Sequence, residues 1–164
     1  MHKHYCARIG VAAALVAALT GPLPAHAAGG VRLVMNQLSK KCLIPASGPD
    51  YRVAQAACDR SDRRQLWHFD GEHEDQQIVN TATGRCLTVF SSADEQPVHA
   101  AACGLIGAYN HWTWVWTDED YVFELEPLDA RGHCLALRPG DAIMLRTCNG
   151  SGDRSRYWAF ELQT

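Results

Sequence analysis

Two groups of side chains in this 164-residue chain could grip a polyol. Asp50-Tyr51 sets a carboxylate beside a ring in a turn-rich stretch, with Gln65 able to add an amide. Tyr109-Asn110, followed by Trp112, sets an amide between two rings. Carboxylates and amides exchange hydrogen bonds with hydroxyl groups, and an aromatic face covers the C–H face of a pyranose. Both groups also have a plainer reading: Pro49-Asp50 is a turn with Tyr51 as its half-buried flank, and Trp112 is core filler.

Trp112 closes the segment Gly104-Leu105-Ile106-Gly107-Ala108-Tyr109-Asn110-His111. On a surface loop, Leu105, Ile106 and Tyr109 form an apolar patch of the kind that marks an interaction site; folded back over the end of the domain, they are simply buried. Catalysis is not expected. The histidines beyond the N-terminal segment (His68, His73, His99, His111, His133) stand among polar or turn residues, and neither Gly-x-Ser-x-Gly nor a Cys-His nucleophile arrangement occurs. No Cys-x-x-Cys and no histidine pair at ligand spacing occurs either, so no metal or other cofactor is expected.

A repeat positions these residues. Cys42-Leu43, Val53, Cys58 and Trp67-His68-Phe69 form one copy of a skeleton that returns as Gly84, Cys86-Leu87, Val98, Cys103 and Trp114-Val115-Trp116. It returns again as Gly132, Cys134-Leu135, Ile143, Cys148 and Trp158-Ala159-Phe160, and the second cysteines (58, 103, 148) are spaced by 45 residues both times. A period of this length marks one supersecondary unit that cannot bury its apolar face alone, so the fold is threefold. Trp67, Trp114 and Trp158 are then expected to converge on the core, together with Phe69, Trp116 and Phe160.

The chain opens with His2, Lys3, His4 and Arg8, continues through the apolar run Ile9 to Leu19, and reaches Ala25-His26-Ala27. That is the plan of a secretory signal peptide cleaved after Ala27, which makes the protein extracellular. An apolar run of 11 residues is shorter than the roughly 20 a membrane-spanning helix needs, so no transmembrane segment is expected. Removing Lys3 and Arg8 leaves 13 basic residues against 18 acidic ones, a formal charge of −5. An acidic surface without a basic run offers no footprint for nucleic acid or anionic lipid.

Six cysteines remain after the signal peptide, two per unit, separated by 16, 17 and 14 residues. In an exported chain they are expected to pair within the units as Cys42-Cys58, Cys86-Cys103 and Cys134-Cys148. Val31, Leu33 and Met35 alternate as a strand should, and similar short runs recur at Gln77-Ile78-Val79, Cys86 to Phe90 and Tyr121 to Leu125. Each unit offers about four such segments separated by turns, and no helical period appears. The expected architecture is an all-β β-trefoil over residues 28–164, with repeats of about 45 residues at 31–74, 75–120 and 121–164.

Gly-x-Cys-Leu, a later Cys and then Gln-x-Trp resemble the ricin B-type lectin family over essentially the whole of residues 31–164. Gln65-Leu66-Trp67 reproduces the signature; Trp112 stands at the Gln place in the second copy and Arg156 in the third. The resemblance implies shallow sugar pockets, one per repeat, built from an Asp, an aromatic and an Asn-Gln pair. At the Asp place stand Ile44, Thr88 and Ala136; at the aromatic place Ala56, Ala101 and Arg146; at the Asn place Arg64, His111 and Ser155; only Gln65 keeps the Gln. The expectation is a carbohydrate-binding protein with non-standard sites. The alternative is a trefoil that binds a co-secreted protein, such as an accessory or targeting subunit of a toxin, or an inhibitor.

Overall fold

The computed structural model describes residues 30–48, 50–148 and 152–161. The expected signal peptide lies outside them, as do residue 49 and residues 149–151. The first repeat holds β1 (Val31–Asn36), β2 (Lys41–Pro45), β3 (Val53–Ala57) and β4 (Leu66–Glu72). The second holds β5 (Asp75–Asn80), β6 (Cys86–Thr88), β7 (Gln96–Pro97), β8 (His99–Ala101) and β9 (His111–Trp116). The third holds β10 (Val122–Pro127), β11 (His133–Leu137), β12 (Ile143–Thr147) and β13 (Trp158–Phe160). Four strands per repeat is the plan throughout, with the third strand of the second repeat broken at Val98 into β7 and β8.

Six strands close a barrel: β1 pairs with β4 and β13, β13 with β10, β10 with β9, β9 with β5, and β5 with β4. The others form the hairpins β2–β3, β6–β8 and β11–β12. These hairpins meet around the buried Val53, Val98 and Ile143, where Val53 N donates to Val98 O (2.7 Å) and Val98 N to Ile143 O (3.1 Å). Closure leaves the barrel without an open edge. The β-trefoil and its three intra-repeat disulfides, Cys42-Cys58, Cys86-Cys103 and Cys134-Cys148, are as expected from the sequence.

Each hairpin tip also docks on the next repeat, always at the residue preceding its first cysteine. Tyr51 receives the Arg85 guanidinium 3.8 Å over its ring, Asp94 accepts His133 Nε2 at 3.6 Å, and Asp141 accepts Lys41 Nζ at 2.6 Å. The tips reach across by leaving β geometry, with φ of 44° at Tyr51, 62° at Glu95 and 62° at Asp141. Two repeat junctions carry a further clamp. Buried Asn36 donates to the carbonyls of Ser155 and Tyr157, and buried Asn80 to those of Arg64 and Leu66. Both end a strand whose turn runs left-handed four residues on, at Lys40 (φ 57°) and Gly84 (φ 66°). Asn36 and Asn80 stand opposite Trp158 and Trp67; at the third junction Pro127 stands opposite Trp112 and Leu128 follows it, and neither side chain can donate such a bond.

The core is set by three indoles. Trp67 Nε1 donates to Leu43 O (3.1 Å), Trp112 Nε1 to Leu87 O (2.8 Å) and Trp158 Nε1 to Leu135 O (2.8 Å), all buried. Trp112, not Trp114, is therefore the tryptophan equivalent to Trp67 and Trp158, and it cannot serve as a stacking platform at 1% exposure. Trp114 takes the place of Phe69 and Phe160, against which it packs with ring centroids 5.4 and 5.6 Å away. Trp116, expected inside, is 52% exposed. The three tryptophans of β9 share one face, so alternation alone does not choose among them; reach to the Leu87 carbonyl does.

With that register, Asn110 takes the place of Gln65 and Arg156. Gln65, at 3% exposure, accepts from Asp59 N (2.9 Å) and donates to Ala57 O (2.9 Å), closing the loop beyond β3. Asn110 is one methylene shorter and its Nδ2, though buried, has no hydrogen-bond partner. Asn110→Gln should restore both bonds, to Gly104 N and Ala102 O, and raise unfolding free energy by about 1 kcal/mol in urea titration. Trp112→Phe should lower it by about 2–3 kcal/mol, because the Leu87 carbonyl is left buried and unpaired. Trp114→Phe, whose Nε1 has no partner to lose, should change it by less than about 1 kcal/mol; the reverse ranking would return the motif position to Trp114.

Candidate functional site

The pocket positions implied by the resemblance lie where the β2–β3, β6–β8 and β11–β12 hairpins face the segment before each buried tryptophan. Cys42 pairs with Ala56, Cys86 with Ala101 and Cys134 with Arg146 across these hairpins. No carboxylate is present at the Asp place, since Ile44, Thr88 and Ala136 are apolar or, for Thr88, bonded to the Cys86 carbonyl (2.8 Å). The register of β9 moves the Asn place of the second repeat from His111 to Tyr109, which packs partly buried on the core while its backbone pairs with Val89. Gln65 and Asn110 are buried parts of the scaffold, not ligand-facing groups.

The third repeat has a cleft at these positions, with further polar groups beside it. A cleft of about 440 Å³ opens there between Leu38, Leu137 and Pro139 on one side and Arg138, Asp141, Arg146, Asp153 and Ser155 on the other. Asp153 caps the short 3₁₀ turn Arg154–Arg156, accepting from Ser155 N (3.1 Å) and Ser155 Oγ (2.6 Å). The Ser155 hydroxyl holds its carboxyl below the ordinary aspartate range against the opposing effect of burial, with Arg156 and Arg146 helping. Buried Arg156 reaches Glu124 (3.0 Å) and Asp153 (3.3 Å), while Glu95 ties Arg138 (2.9 Å) to Arg146 (3.2 Å). The cleft thus has an apolar wall, two half-exposed guanidiniums that donate and two carboxylates that accept. Arg146 and Ser155 stand at the aromatic and Asn places already read from the sequence; sequence reasoning missed Arg138, Asp141 and Asp153, which come from the hairpin tip and the turn beyond.

The other candidates separate. Asp50 and Tyr51 do not join Gln65: Tyr51, 38% exposed, lies under Arg85, and the Asp50 carbonyl meets His99 Nδ1 (2.9 Å), which itself packs on Phe90. Leu105 and Ile106 do project outward, Ile106 being fully exposed (100%). His111 contacts Asp75 through Nδ1 (2.5 Å) and Gln77 Nε2 through Nε2 (3.3 Å), so both ring nitrogens are engaged.

The fold is shared widely. The chain superimposes on the Macrolepiota procera ricin B-like lectin in complex with lactose (15% identity, 82% of this chain and 96% of that one, TM-score 0.67). It likewise matches the designed threefold-symmetric protein ThreeFoil (18%, 79% and 96%, 0.65). A third match is the cytolethal distending toxin of Actinobacillus actinomycetemcomitans (15%, 79% and 89%, 0.63). At such identities these likenesses establish the β-trefoil and nothing finer. The family model for the ricin-type beta-trefoil lectin domain matches residues 27–112, just over half of the chain and including the intact Gln65-Leu66-Trp67. Together with three disulfide-closed repeats around Trp67, Trp112 and Trp158, that match makes this chain a member of the ricin-type β-trefoil lectin family.

Proposed function

We propose that the protein is a secreted carbohydrate-binding trefoil, not an enzyme, whose operative site is the cleft of the third repeat. The observation that carries this reading is the pairing, in one concavity, of an apolar wall with the acceptors Asp141 and Asp153 and the donors Arg138 and Arg146. A saccharide presents hydroxyls that both donate and accept around an apolar face, and charged partners strengthen each bond to about 1.5–3 kcal/mol. Lactose bound to the Macrolepiota procera lectin supports a sugar as the ligand class.

The test is binding of protein purified from the medium of cells expressing the full chain to a broad glycan array, with xylan, chitin and peptidoglycan alongside. Saturable binding is expected, weakened about tenfold by Arg138→Ala and by Asp141→Asn with an unchanged melting temperature. Binding that survives both variants moves the site elsewhere, and silence across the panel removes the sugar reading.

A second reading, association with a co-secreted protein, is favoured by the exposed Leu105 and Ile106 in the loop between β8 and β9. It is also consistent with the likeness to a toxin. Leu105→Asp with Ile106→Asp should then abolish co-purification of that partner from the producing culture while leaving glycan binding intact; retained co-purification would exclude this loop.

A further inference from the structure

The two barrel hairpins of the second repeat and its neighbours are unlike the rest of the surface. The β4–β5 hairpin carries Asp70, Glu72, Glu74 and Asp75, and the β9–β10 hairpin carries Asp118, Glu119 and Asp120. These seven are drawn from a total of 18 acidic residues, and neither segment, 70–75 or 117–121, contains a lysine or arginine. Only Glu119, through Arg154 (2.9 Å), and Asp75, through His111, have ion-pair partners among the described residues. The hairpins are held side by side by rings: His73 meets Trp114 edge-on at 4.8 Å and lies nearly parallel to Trp116 at 6.4 Å.

Exposed aromatics stand among these acids. Trp116 is 52% exposed and Tyr121 74%, the latter at φ 59°, a left-handed position that a bulky side chain occupies only against a steric penalty. Folding alone favours Gly or Asn there. Tyr121 also lines a cleft of about 570 Å³ with the apolar Met35, Val122 and Phe160 and the carboxylates Glu119, Asp120 and Glu161. Arg60 pairs with Glu161 (3.4 Å) and Arg32 lies over the Phe160 ring, which leaves Asp120 as the unpaired charge there among the described residues. Apolar surface exposed in this way marks an interaction site, and Trp and Tyr are the side chains on which binding energy concentrates.

We propose that this acidic, ring-studded barrel end docks a basic amphipathic segment of another protein, distinct from the third-repeat cleft. The occupant follows from charge complementarity. Unpaired carboxylates on projecting hairpin tips attract cations over distance, Trp116 and Tyr121 offer ring faces to Arg or Lys, and the adjoining cleft accepts the segment's apolar side chains. Hairpin tips are convex, which suits a partner that wraps them better than a small saccharide that must be enclosed.

The probe is a fluorescein-labelled amphipathic peptide alternating Arg and Leu, with a Glu-for-Arg counterpart, followed by anisotropy against the purified full-chain product. Expected is saturable, salt-sensitive binding of the basic peptide alone, weakened about tenfold by Trp116→Ala and by the combined Glu74→Gln, Asp118→Asn and Asp120→Asn. Tyr121→Asn separates binding from folding: it should weaken the peptide complex while the melting temperature holds or rises, because the backbone strain is relieved. Equal binding of both peptides, no binding by the wild type, or indifference to Trp116→Ala overturns the proposal. So does preferential capture of a chitosan oligosaccharide through the same residues, which would assign the surface to an amino sugar instead.

Discussion

Three buried hydrogen bonds, from an indole N–H to a leucine carbonyl in each repeat, are what the rest of this domain depends on. An indole is too large to lose from a core of this size, and its N–H must find an acceptor once buried. Leu43, Leu87 and Leu135 supply those acceptors from the strand that also carries the first cysteine of each disulfide. The barrel strand ending each repeat is thereby tied to the hairpin that begins it, and the disulfide locks that hairpin on itself. Three units so tied bury a common core that none could bury alone.

With the interior settled by so few contacts, the same position can be filled in chemically different ways. Gln65 bridges two backbone groups, Asn110 falls short of them, and Arg156 replaces the bridge by ion pairs with Glu124 and Asp153. A buried guanidinium is tolerated because carboxylates on both sides offset its desolvation. One of those carboxylates, Asp153, also lines the third-repeat cleft, where Arg138, Asp141 and Arg146 add to its polarity. The departure from the family signature at Arg156 and the polarity of the third-repeat cleft thus meet at Asp153.

Pseudo-symmetry is broken in a graded way around the barrel. Asn36 and Asn80 clamp two junctions while the third lacks an asparagine, and the second repeat alone exposes Leu105 and Ile106 in the loop beyond its second cysteine. The second repeat also carries the additional exposed ring, Trp116, and sets a single basic residue, Arg85, against six acidic ones. The domain is thus polarised, with its polar cleft on the third repeat and its exposed apolar and aromatic side chains elsewhere, all on a scaffold closed by disulfides.

Period, cysteine count and apolar alternation in the chain were enough to determine the β-trefoil, the disulfide pairing and most of the core, because each is a matter of spacing along the backbone. The register of β9 was also within reach, since Trp67, Trp112 and Trp158 are spaced by 45 and 46 residues, but Trp114 satisfied the looser aromatic pattern as well. Choosing between two tryptophans on one strand face required knowing which N–H meets a carbonyl, and that is a distance across the fold. The clefts were decided only in three dimensions for the same reason. Asp141 and Asp153 are far apart in sequence from Leu38, and Tyr121 from Met35 and Glu161, and it is the closing of the fold that brings each group to one cleft.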